Sequence, residues 1–248
     1  MTYLFANWKM YLHHQEALAL AQQLAHTTSS ADTTITIFPT ALSFLSVQEA
    51  LATTNISCGV QNISWTPQGA YTGALSAHLA KDVGARYALV GHSERRYIFG
   101  ESDSDVRKKI DAALESGMIP VVCIGETQED VEAGKTAYRL KKQLMMAFEG
   151  LMLSDNQLIV AYEPVWAISQ SGKGIACDPL QAEEQHAFIA EEIKRYTTAQ
   201  VPLIYGGSVT ADNVLSYISC HHIDGVLVGS ASTRLESMSA LIQAVTSK

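Results

Sequence analysis

The residues of this sequence that are best suited to chemistry follow short apolar runs. Asn7 and Lys9 come directly after the first run, His92 follows the fourth and Glu163 the sixth. An ammonium group, an imidazole and a carboxylate supply a fixed positive charge, a hydrogen-bond donor and a general base. Together they are suited to removing a proton next to a carbonyl group and to stabilising the anion that forms.

Glu163 is the candidate base of this set. Because it ends an apolar run, we expect its carboxylate to be partly desolvated, which raises its basicity. His92 is followed by a predicted helix, whose N-terminus favours the neutral imidazole over the cation. Lys9, next to Trp8, is then the fixed charge at the mouth of the site.

Two turns of small residues are candidate phosphate sites. Gly206-Gly207-Ser208 follows the seventh apolar run, and Gly229-Ser230-Ala231-Ser232 follows the eighth. Small residues before a helix allow backbone N–H groups to approach an anion closely. Between Pro164 and Asp178 the stretch 169–174 is small and polar, and we expect it to be a mobile lid over the site.

Each of these features alone is also compatible with a structural role. Lys9 fits a surface lysine, and the sequence from His92 to Arg96 fits a capped, solvated turn. The stretch after Pro164 fits an ordinary loop between a strand and a helix. Either turn of small residues is weak evidence by itself, and only their joint occurrence after the last two runs favours phosphate binding.

Eight apolar runs, rich in β-branched residues and bounded by glycine, proline or polar residues, predict eight strands. Amphipathic segments separate them, which indicates parallel strands joined by right-handed helical crossovers. No G-x-G-x-x-G motif follows the first run, so a closed barrel is favoured over an open doubly wound sheet. We expect residues 1–248 to form a single α/β domain, a (β/α)8 TIM barrel. The predicted strands are Tyr3–Ala6, Thr34–Phe38, Ile56–Val60, Tyr87–Val90, Ile119–Ile124, Leu158–Ala161, Val201–Tyr205 and Gly225–Val228.

Capping residues predict where several helices begin and end. Serine, threonine and aspartate favour the position before a helix, proline its first turn and glycine the position after it. In a barrel the helices begin on the side where the strands end, so the strand-end residues share one face. The predicted caps are Ser102 with Gly117, Asp178 with Pro179, Thr210, and Ser232 or Thr233.

Composition narrows the class of protein. The chain has 248 residues, of which 47% are apolar and 17% charged, and its formal net charge is −8. An acidic chain is a poor candidate for binding nucleic acid, and no segment approaches the roughly 20 apolar residues that span a membrane. The N-terminus lacks a signal-peptide pattern. We therefore expect a cytoplasmic protein with neither nucleic-acid nor membrane partners.

The four cysteines predict neither a zinc site nor a disulfide framework, because they are widely spaced. We expect reduced and mostly buried thiols instead. The sequence also lacks nicotinamide, flavin and metal-binding motifs, so we expect no cofactor and no metal ligand. The cysteines are Cys58, Cys123, Cys177 and Cys220.

The motifs and their order resemble the triosephosphate isomerase family over nearly the whole chain. Each motif alone is weak evidence, but a chance match of all of them in this order is very improbable. The matching segments are Asn7-Trp8-Lys9, Gln61-Asn62, Gly69–Gly73, Gly91–Arg96, Phe99–Asp103, Cys123–Glu126, Tyr162–Ile168, Tyr205–Val209 and Leu227–Gly229.

The resemblance implies a cofactor-free interconversion of dihydroxyacetone phosphate and glyceraldehyde 3-phosphate through an enediol or enediolate. It implies that Glu163 carries the proton between the two carbons and that a neutral His92 polarises the carbonyl. By the same resemblance Lys9 neutralises negative charge, Asn7 donates a hydrogen bond to the substrate, and Glu94 supports the site. The implied phosphate-binding amides are those of Ser208, Gly229, Ser230 and one lid residue, which counting from the hinge identifies as Ser169.

The resemblance also implies a homodimer. The loop Gln61–Gly73 is expected to insert beside the active site of the partner, with Thr72 reaching across. Ala74 stands where the family usually carries a glutamate that pairs with an arginine of the other subunit. An exposed ion pair contributes only about 0–1 kcal/mol, so we expect the dimer to survive its loss.

Two further departures from the family concern the phosphate side of the site. The lid Ser169–Ala176 is two or three residues longer than usual up to the next helix. Ser230 replaces the second glycine of a pair, which preserves a backbone amide if residue 230 has no need of a positive φ.

Two other hypotheses remain compatible with the sequence. The chain could keep the barrel but serve as a binding protein, which the altered lid suggests. The joint presence of Asn7, Lys9, His92 and Glu163 argues against it, because a decayed site should lose at least one of them. The chain could also be another phosphosugar isomerase, and a small closed mouth that excludes pentose phosphates would decide against that.

Overall fold

The computed structural model describes residues 1–27, 30–168 and 176–247, and within them eight strands form one closed barrel in sequence order. Each strand pairs in parallel with the next, and the last pairs with the first. The predicted (β/α)8 barrel is therefore confirmed. The strands are β1 (Thr2–Asn7), β2 (Thr33–Phe38), β3 (Ile56–Val60), β4 (Tyr87–Val90), β5 (Ile119–Ile124), β6 (Ile159–Tyr162), β7 (Leu203–Tyr205) and β8 (Gly225–Val228).

Helices surround this barrel and connect its strands. Two short 3-10 helices, Val165–Ala167 and Ser230–Ser232, follow β6 and β8. The α-helices within the described ranges are α1 (His14–Leu24), α2 (Phe44–Leu51), α3 (Ala77–Asp82), α4 (Ser93–Tyr97), α5 (Asp103–Glu115), α6 (Gln128–Glu132), α7 (Thr136–Phe148), α8 (Pro179–Ile193), α9 (Val214–Ile218) and α10 (Leu235–Thr246).

Alternate residues of the strands pack into two different cores. Phe5 packs against Phe38 and Tyr87 inside the barrel, with ring centroids 5.6 and 4.9 Å apart. Its neighbours Leu4 and Ala6 pack outside, against the helices. Side chains of a strand alternate between faces, and a parallel sheet covered by helices is buried on both. This is why the strands read as continuous apolar runs.

The same alternation directs two predicted site residues to the mouth of the barrel. On β1, Asn7 continues the inward-facing row of Tyr3 and Phe5, and Glu163 continues the row of Ile159 and Ala161 on β6. A polar residue at the inner end of a strand lies beyond the last layer of the apolar core. The barrel therefore brings both residues to one face.

Two predicted helix starts are confirmed. The Ser102 hydroxyl accepts a hydrogen bond from the Asp105 N–H at 3.2 Å at the start of α5, and Gly117 after its end has a φ of 75°. The Asp178 carboxylate accepts the Leu180 N–H at 2.9 Å, with Pro179 as the first residue of α8. These caps begin and end their helices because they satisfy backbone groups that have no partner within the helix.

Two other predicted caps are wrong, and the seventh strand begins two residues later than predicted. The bounds of β1, β2 and β6 differ from the predicted ones by one residue. Asn213, not Thr210, precedes α9, because the Asn213 side chain accepts the Thr210 N–H at 2.8 Å. The last helix, α10, is preceded by Arg234, because the hydroxyls of Ser232 and Thr233 bond back to carbonyls of the preceding 3-10 turn. The seventh strand begins at Leu203 rather than Val201. Proline at 202 lacks the N–H that a strand pairing needs.

Candidate active site

Lys9 lies just past the end of β1 in an unusual backbone conformation. Its φ is 46°, in the left-handed region that residues other than glycine rarely adopt. Its N–H donates to Asn7 Oδ1 at 3.0 Å, and its Nζ donates to Glu94 Oε1 at 2.8 Å. The Lys9 side chain is largely buried, whereas that of Glu94 is more open to solvent. Three of the predicted residues are thus brought together around one ammonium group.

The turn after β4 depends on a glycine. Gly91 has a φ of 70°, and a Cβ there would lie 2.7 Å from Arg96 Nη2. Arg96 cannot easily move away, because its Nε donates to the Gly91 carbonyl and its Nη1 to Asp103, both at 2.6 Å. The hydrogen bonds of Arg96 therefore fix the turn, and the turn places the next residue, His92, at the mouth of the barrel.

His92 is buried and caps the N-terminus of α4. Its Nδ1 accepts a hydrogen bond from the Glu94 N–H at 3.2 Å. A ring nitrogen that accepts a hydrogen bond carries no proton, so a neutral ring holds its proton on Nε2. That Nε2 lies 3.1 Å from Glu163 Oε1. The Nε2 donor of the imidazole therefore contacts the predicted base at the mouth of the barrel.

Glu163, directly after β6, is only 2% exposed. Its Oε2 accepts a hydrogen bond from the Ser93 N–H at 3.0 Å, while its Oε1 faces His92. The neighbouring strand makes room for it, since a Cβ at Gly206 would lie 2.8 Å from Glu163 Cγ. The carboxylate is thus enclosed by backbone on one side and by the imidazole on the other.

The net pKa of Glu163 is opposite to the sequence expectation. Burial raises the pKa of its carboxyl group, as predicted, but His92, the Ser93 N–H and the charge of Lys9 together outweigh burial and lower it below its ordinary value. Donors and positive charge stabilise the ionised form. The predicted net increase in basicity is therefore wrong while Glu163 keeps these contacts, because they favour its ionised form.

A cavity of about 310 Å³ opens between these side chains and the ends of β7 and β8. Ser208, Gly229 and Ser230 line its far side. Among the hydrogen bonds of the described residues, none uses the N–H of these three residues as donor. Backbone N–H groups without acceptors, beside the Lys9 ammonium, suit a bound anion.

The two departures on this side of the cavity have different outcomes. Ser230 begins a 3-10 helix and is not among the described residues with positive φ, so its side chain creates no strain there. The predicted lid 169–174, including Ser169, lies outside the described residues.

Sequence reasoning missed two residues that hold the base and the start of the lid. Ser93 contributes through its N–H, which no side-chain pattern reveals. Glu126 is 2% exposed and accepts hydrogen bonds from Tyr162 Oη at 3.0 Å and Trp166 Nε1 at 2.8 Å. Burial raises the pKa of the Glu126 carboxyl group. Its position just after β5, within a recognised motif, was the signal available.

A second cavity, of about 950 Å³, adjoins the first and is lined in part by Asn7, Lys9 and His92. Its rim carries the strongly exposed apolar side chains of Met10, Leu42, Ile98 and Phe99.

Arg95 and Ala74 also lie at this second cavity. Ala74 is exposed, and the Arg95 guanidinium instead packs within its own chain. Its Cζ lies 4.7 Å from the centroid of the Phe99 ring, and its Nε lies 3.6 Å from Glu101 Oε1. Arg95 therefore has an aromatic and an acidic partner within its own chain.

Across the described ranges, no cluster of three or more histidine, cysteine, aspartate or glutamate residues is arranged to hold a metal ion. None of the helices in that part of the chain is long and apolar enough to cross a membrane.

Comparison with known proteins identifies the family. The family model of triosephosphate isomerase matches residues 2–245. The chain belongs to the triosephosphate isomerase family. A triosephosphate isomerase of Citrifermentans bemidjiense is 42% identical over 96% of both chains. That of Symbiobacterium thermophilum is 41% identical over 96% of this chain and 94% of its own, and that of Alkaliphilus oremlandii is 39% identical over 95% and 96%.

Membership of the triosephosphate isomerase family confirms the resemblance found in the sequence and makes this chain an isomerase. The family implies a phosphorylated triose as substrate and a part in glycolysis. The cavity between Glu163 and Gly229 is the candidate site for that substrate, because it combines ionisable side chains with amides that have no acceptor among the described residues.

Proposed function

We propose that residues 1–248 form one catalytic domain that interconverts dihydroxyacetone phosphate and D-glyceraldehyde 3-phosphate without a cofactor. The observation that carries this proposal is the buried contact of 3.1 Å between Glu163 Oε1 and His92 Nε2. The contact lies on a cavity of about 310 Å³ that Lys9 and the turns at Ser208 and Gly229 also line. A base, a donor, a positive charge and an anion site thus surround a volume at the small end of ligand pockets.

In the proposed reaction Glu163 removes a proton from C1 of dihydroxyacetone phosphate. The electrons of that C–H bond form the C1–C2 double bond, and the carbonyl oxygen on C2 takes the negative charge of the enediolate. His92 donates a hydrogen bond to this oxygen and exchanges protons between O2 and O1. Glu163 then returns its proton to C2, which leaves the aldehyde at C1. No external electron acceptor is needed, because the two carbons exchange oxidation states.

The hydrogen bond from Glu94 supports the electrophilic role of His92. The Glu94 N–H occupies Nδ1, so the remaining proton of the neutral ring is held on Nε2, facing the cavity. A neutral imidazole binds the carboxylate of Glu163 less strongly than an imidazolium would, because the imidazolium and the carboxylate would form an ion pair. The ring therefore stays available to the substrate oxygen.

Glu163 must leave the Ser93 amide before it can act as a base. In the arrangement described, the hydrogen bond from Ser93 and the contact with His92 help to lower the pKa of its carboxyl group. When a substrate draws the Glu163 carboxylate away from Ser93 and His92, the carboxylate loses these two donors. Burial then raises the basicity of Glu163. The base is thus ionised before substrate binds and becomes stronger at the moment of contact.

The charged ends of the substrate have separate proposed contacts. The ammonium group of Lys9 interacts with the negatively charged oxygens of the substrate and the transition state, and the amide of Asn7 donates a hydrogen bond to the same oxygens. Both residues line the cavity. The phosphate is bound by the N–H groups of Ser208, Gly229 and Ser230. Ser169 is the proposed lid donor. Electrostatic stabilisation of this kind is usually a large part of catalysis.

We also propose that a second copy of the chain fills the larger cavity. The loop Gln61–Gly73 follows β3, and Thr72 near its end is exposed to solvent. The cavity of about 950 Å³ with its apolar rim suits such an insertion. A homodimer of this kind completes the wall next to Lys9. Sedimentation at micromolar concentration should give twice the mass of the chain, and a monomeric species with full activity would contradict the proposal.

The central test is an assay of the purified chain with D-glyceraldehyde 3-phosphate, coupled to reduction of the dihydroxyacetone phosphate that forms. We expect isomerisation that 2-phosphoglycolate inhibits competitively, because its carboxylate resembles the enediolate and its phosphate fills the anion site. Ribose 5-phosphate is the matched control and should not react, given the small cavity. Absence of isomerisation, or isomerisation insensitive to the inhibitor, contradicts the proposed function. The proposal includes a cytoplasmic location and a role in gluconeogenesis as well as glycolysis.

A further inference from the structure

Gln61 belongs to a motif of the sequence that the proposed reaction leaves without a role. It follows β3 directly, and its side-chain Nε2 donates hydrogen bonds to the Lys9 carbonyl at 2.7 Å and to the Phe38 carbonyl at 2.9 Å. A primary amide has two N–H groups, and both are used here. One side chain therefore joins the ends of β1, β2 and β3 at the mouth of the barrel.

The backbone of Lys9 needs such support. Among the described residues, the other non-glycine residue with positive φ is Asn156, a residue type that tolerates the left-handed region because its short side chain bonds locally. A lysine has no such compensation, and strained conformations persist only where the surroundings over-determine them. The Lys9 N–H is held by Asn7 Oδ1 and its carbonyl by Gln61. Both peptide groups flanking its Cα are thereby fixed.

The direction of the Lys9 side chain depends on these two peptide groups. In this conformation its Nζ reaches Glu94 at 2.8 Å, and its Cε lies 3.5 Å from the position that a Cβ on Gly229 would occupy. The ammonium is thus held between the charge pair with Glu94 and the phosphate turn. Relaxation to a negative φ would redirect the Cα–Cβ bond and carry the ammonium away from both.

We propose that Gln61 is a positioning residue, which holds the strained backbone of Lys9 so that the ammonium group meets the substrate. The inference rests on the proposed function, since it requires Lys9 to contact the substrate. It differs from a purely structural role of Gln61, in which the bond to Phe38 would merely tie two strands together. In that case its loss would reduce stability without acting through Lys9.

The test is a double-mutant cycle with Gln61→Met and Lys9→Met, read out by the dissociation constant of 2-phosphoglycolate for all four proteins. Methionine matches glutamine in length but has no donor. We expect Gln61→Met to weaken binding and to lower kcat/KM by about 10- to 100-fold in the presence of Lys9, as misplaced groups do. In the Lys9→Met background the same change should alter binding by less than about 2-fold, because groups that act through one another are not additive.

Ser57→Ala is the matched control. Ser57 lies on β3, the strand that precedes Gln61, and its hydroxyl also bonds to a carbonyl of β2, that of Ile35, at 3.3 Å. It has no contact with Lys9 among the described hydrogen bonds, so its loss should leave kcat/KM and inhibitor binding unchanged. Thermal unfolding of each variant shows whether the protein is folded. If Gln61→Met does not fold, Gln61→Glu, which has the same shape, enters the same cycle.

Two results overturn the inference. Equal weakening by Gln61→Met in both backgrounds means that Gln61 acts independently of Lys9, and wild-type kcat/KM in Gln61→Met means that the lysine needs no such support. A crystal structure of Gln61→Met gives a direct second measurement, with Lys9 expected at negative φ and its Nζ away from Glu94. Unchanged inhibitor binding and activity in Lys9→Met alone is a different failure, because it removes Lys9 from the proposed function itself.

Discussion

The two ends of the barrel differ in whether their polar side chains also contact one another. At the mouth, side chains contact one another: Lys9 bonds to Glu94, and Glu163 faces His92. All of these groups except Glu94 are largely buried, and Lys9 has a strained backbone. The N–H groups opposite them have no acceptor among the described residues. Such an arrangement leaves interactions open for a ligand.

At the base of the barrel, side chains complete the hydrogen bonds of the main chain. Asp224 accepts the Leu203 N–H at 2.8 Å, where β7 begins. Asp155 accepts the Gln200 N–H at 2.7 Å in the neighbouring loop. Each bond satisfies a backbone group that the barrel itself leaves unpaired. The comparison teaches that the mouth is built for function and the base for stability, so substitutions at the two ends should separate activity from folding.

The largest expected effect is that of Glu163→Gln at the mouth. The amide keeps the shape of the carboxylate and an acceptor for the Ser93 N–H, but it cannot accept a proton from carbon. We expect kcat to fall by about 10³-fold, in the range of general-base contributions. The midpoint of thermal unfolding should change little. Near-wild-type turnover would exclude Glu163 as the base, and a large loss of stability would blur the contrast with the base of the barrel.

Ser93→Pro tests how the mouth sets the basicity of Glu163. Position 93 begins α4, where proline is tolerated, and the substitution removes the N–H that bonds to Glu163 together with the serine hydroxyl. That donor helps to hold the pKa of Glu163 below its ordinary value, so its loss raises this pKa. The acid limb of kcat/KM should therefore shift to higher pH. Ser93→Ala keeps the N–H and should leave the limb where it is; an equal shift in both variants would argue against this explanation.

Asp224→Ala makes the opposite kind of change at the base. It leaves the buried Leu203 N–H without an acceptor, which costs about 1–3 kcal/mol of the free energy of unfolding. For a chain of this size the midpoint of thermal unfolding should fall by about 2–4 °C for each kcal/mol. Turnover of the folded protein should stay at the wild-type level. A selective loss of kcat without loss of stability would break the division between the two ends.

The smallest expected effect is the pH dependence of Asp224→Asn. Burial raises the pKa of Asp224 above its ordinary value, so the folded protein binds this proton more tightly than the unfolded chain does. The stability that the protonated group contributes is present below its unfolded pKa of about 4 and is lost as the pH rises through the folded pKa. The amide has no charge to desolvate. Relative to this variant, the wild type should therefore lose stability between pH 4 and the raised pKa, and parallel unfolding midpoints across that range would contradict the prediction.

Much of this molecule could be predicted from local patterns. The apolar runs located the strands to within a few residues, and a parallel barrel brings strand ends to one face whatever the details. Asn7, Lys9, His92 and Glu163 therefore met at the mouth as predicted. The caps at Ser102 and Asp178 were also predictable, because capping involves residues only two or three positions apart.

The predictions failed where several elements act on one group. The pKa of Glu163 depends on β6 for burial, on α4 for the Ser93 amide and on β1 for the charge of Lys9, and their balance has no signature in any one segment. The role of Gln61 likewise depends on a carbonyl group of β2 and on one just past the end of β1.

The sequence by itself determined the barrel, its family and the identity of the residues at its mouth, because periodicity, turn residues and motif order are local properties of the chain. Only the tertiary structure decided which donor each of them faces, that these donors lower the pKa of Glu163, and that Lys9 is held in a strained conformation. Distances between groups more than 50 residues apart control these properties, and such distances are set by folding.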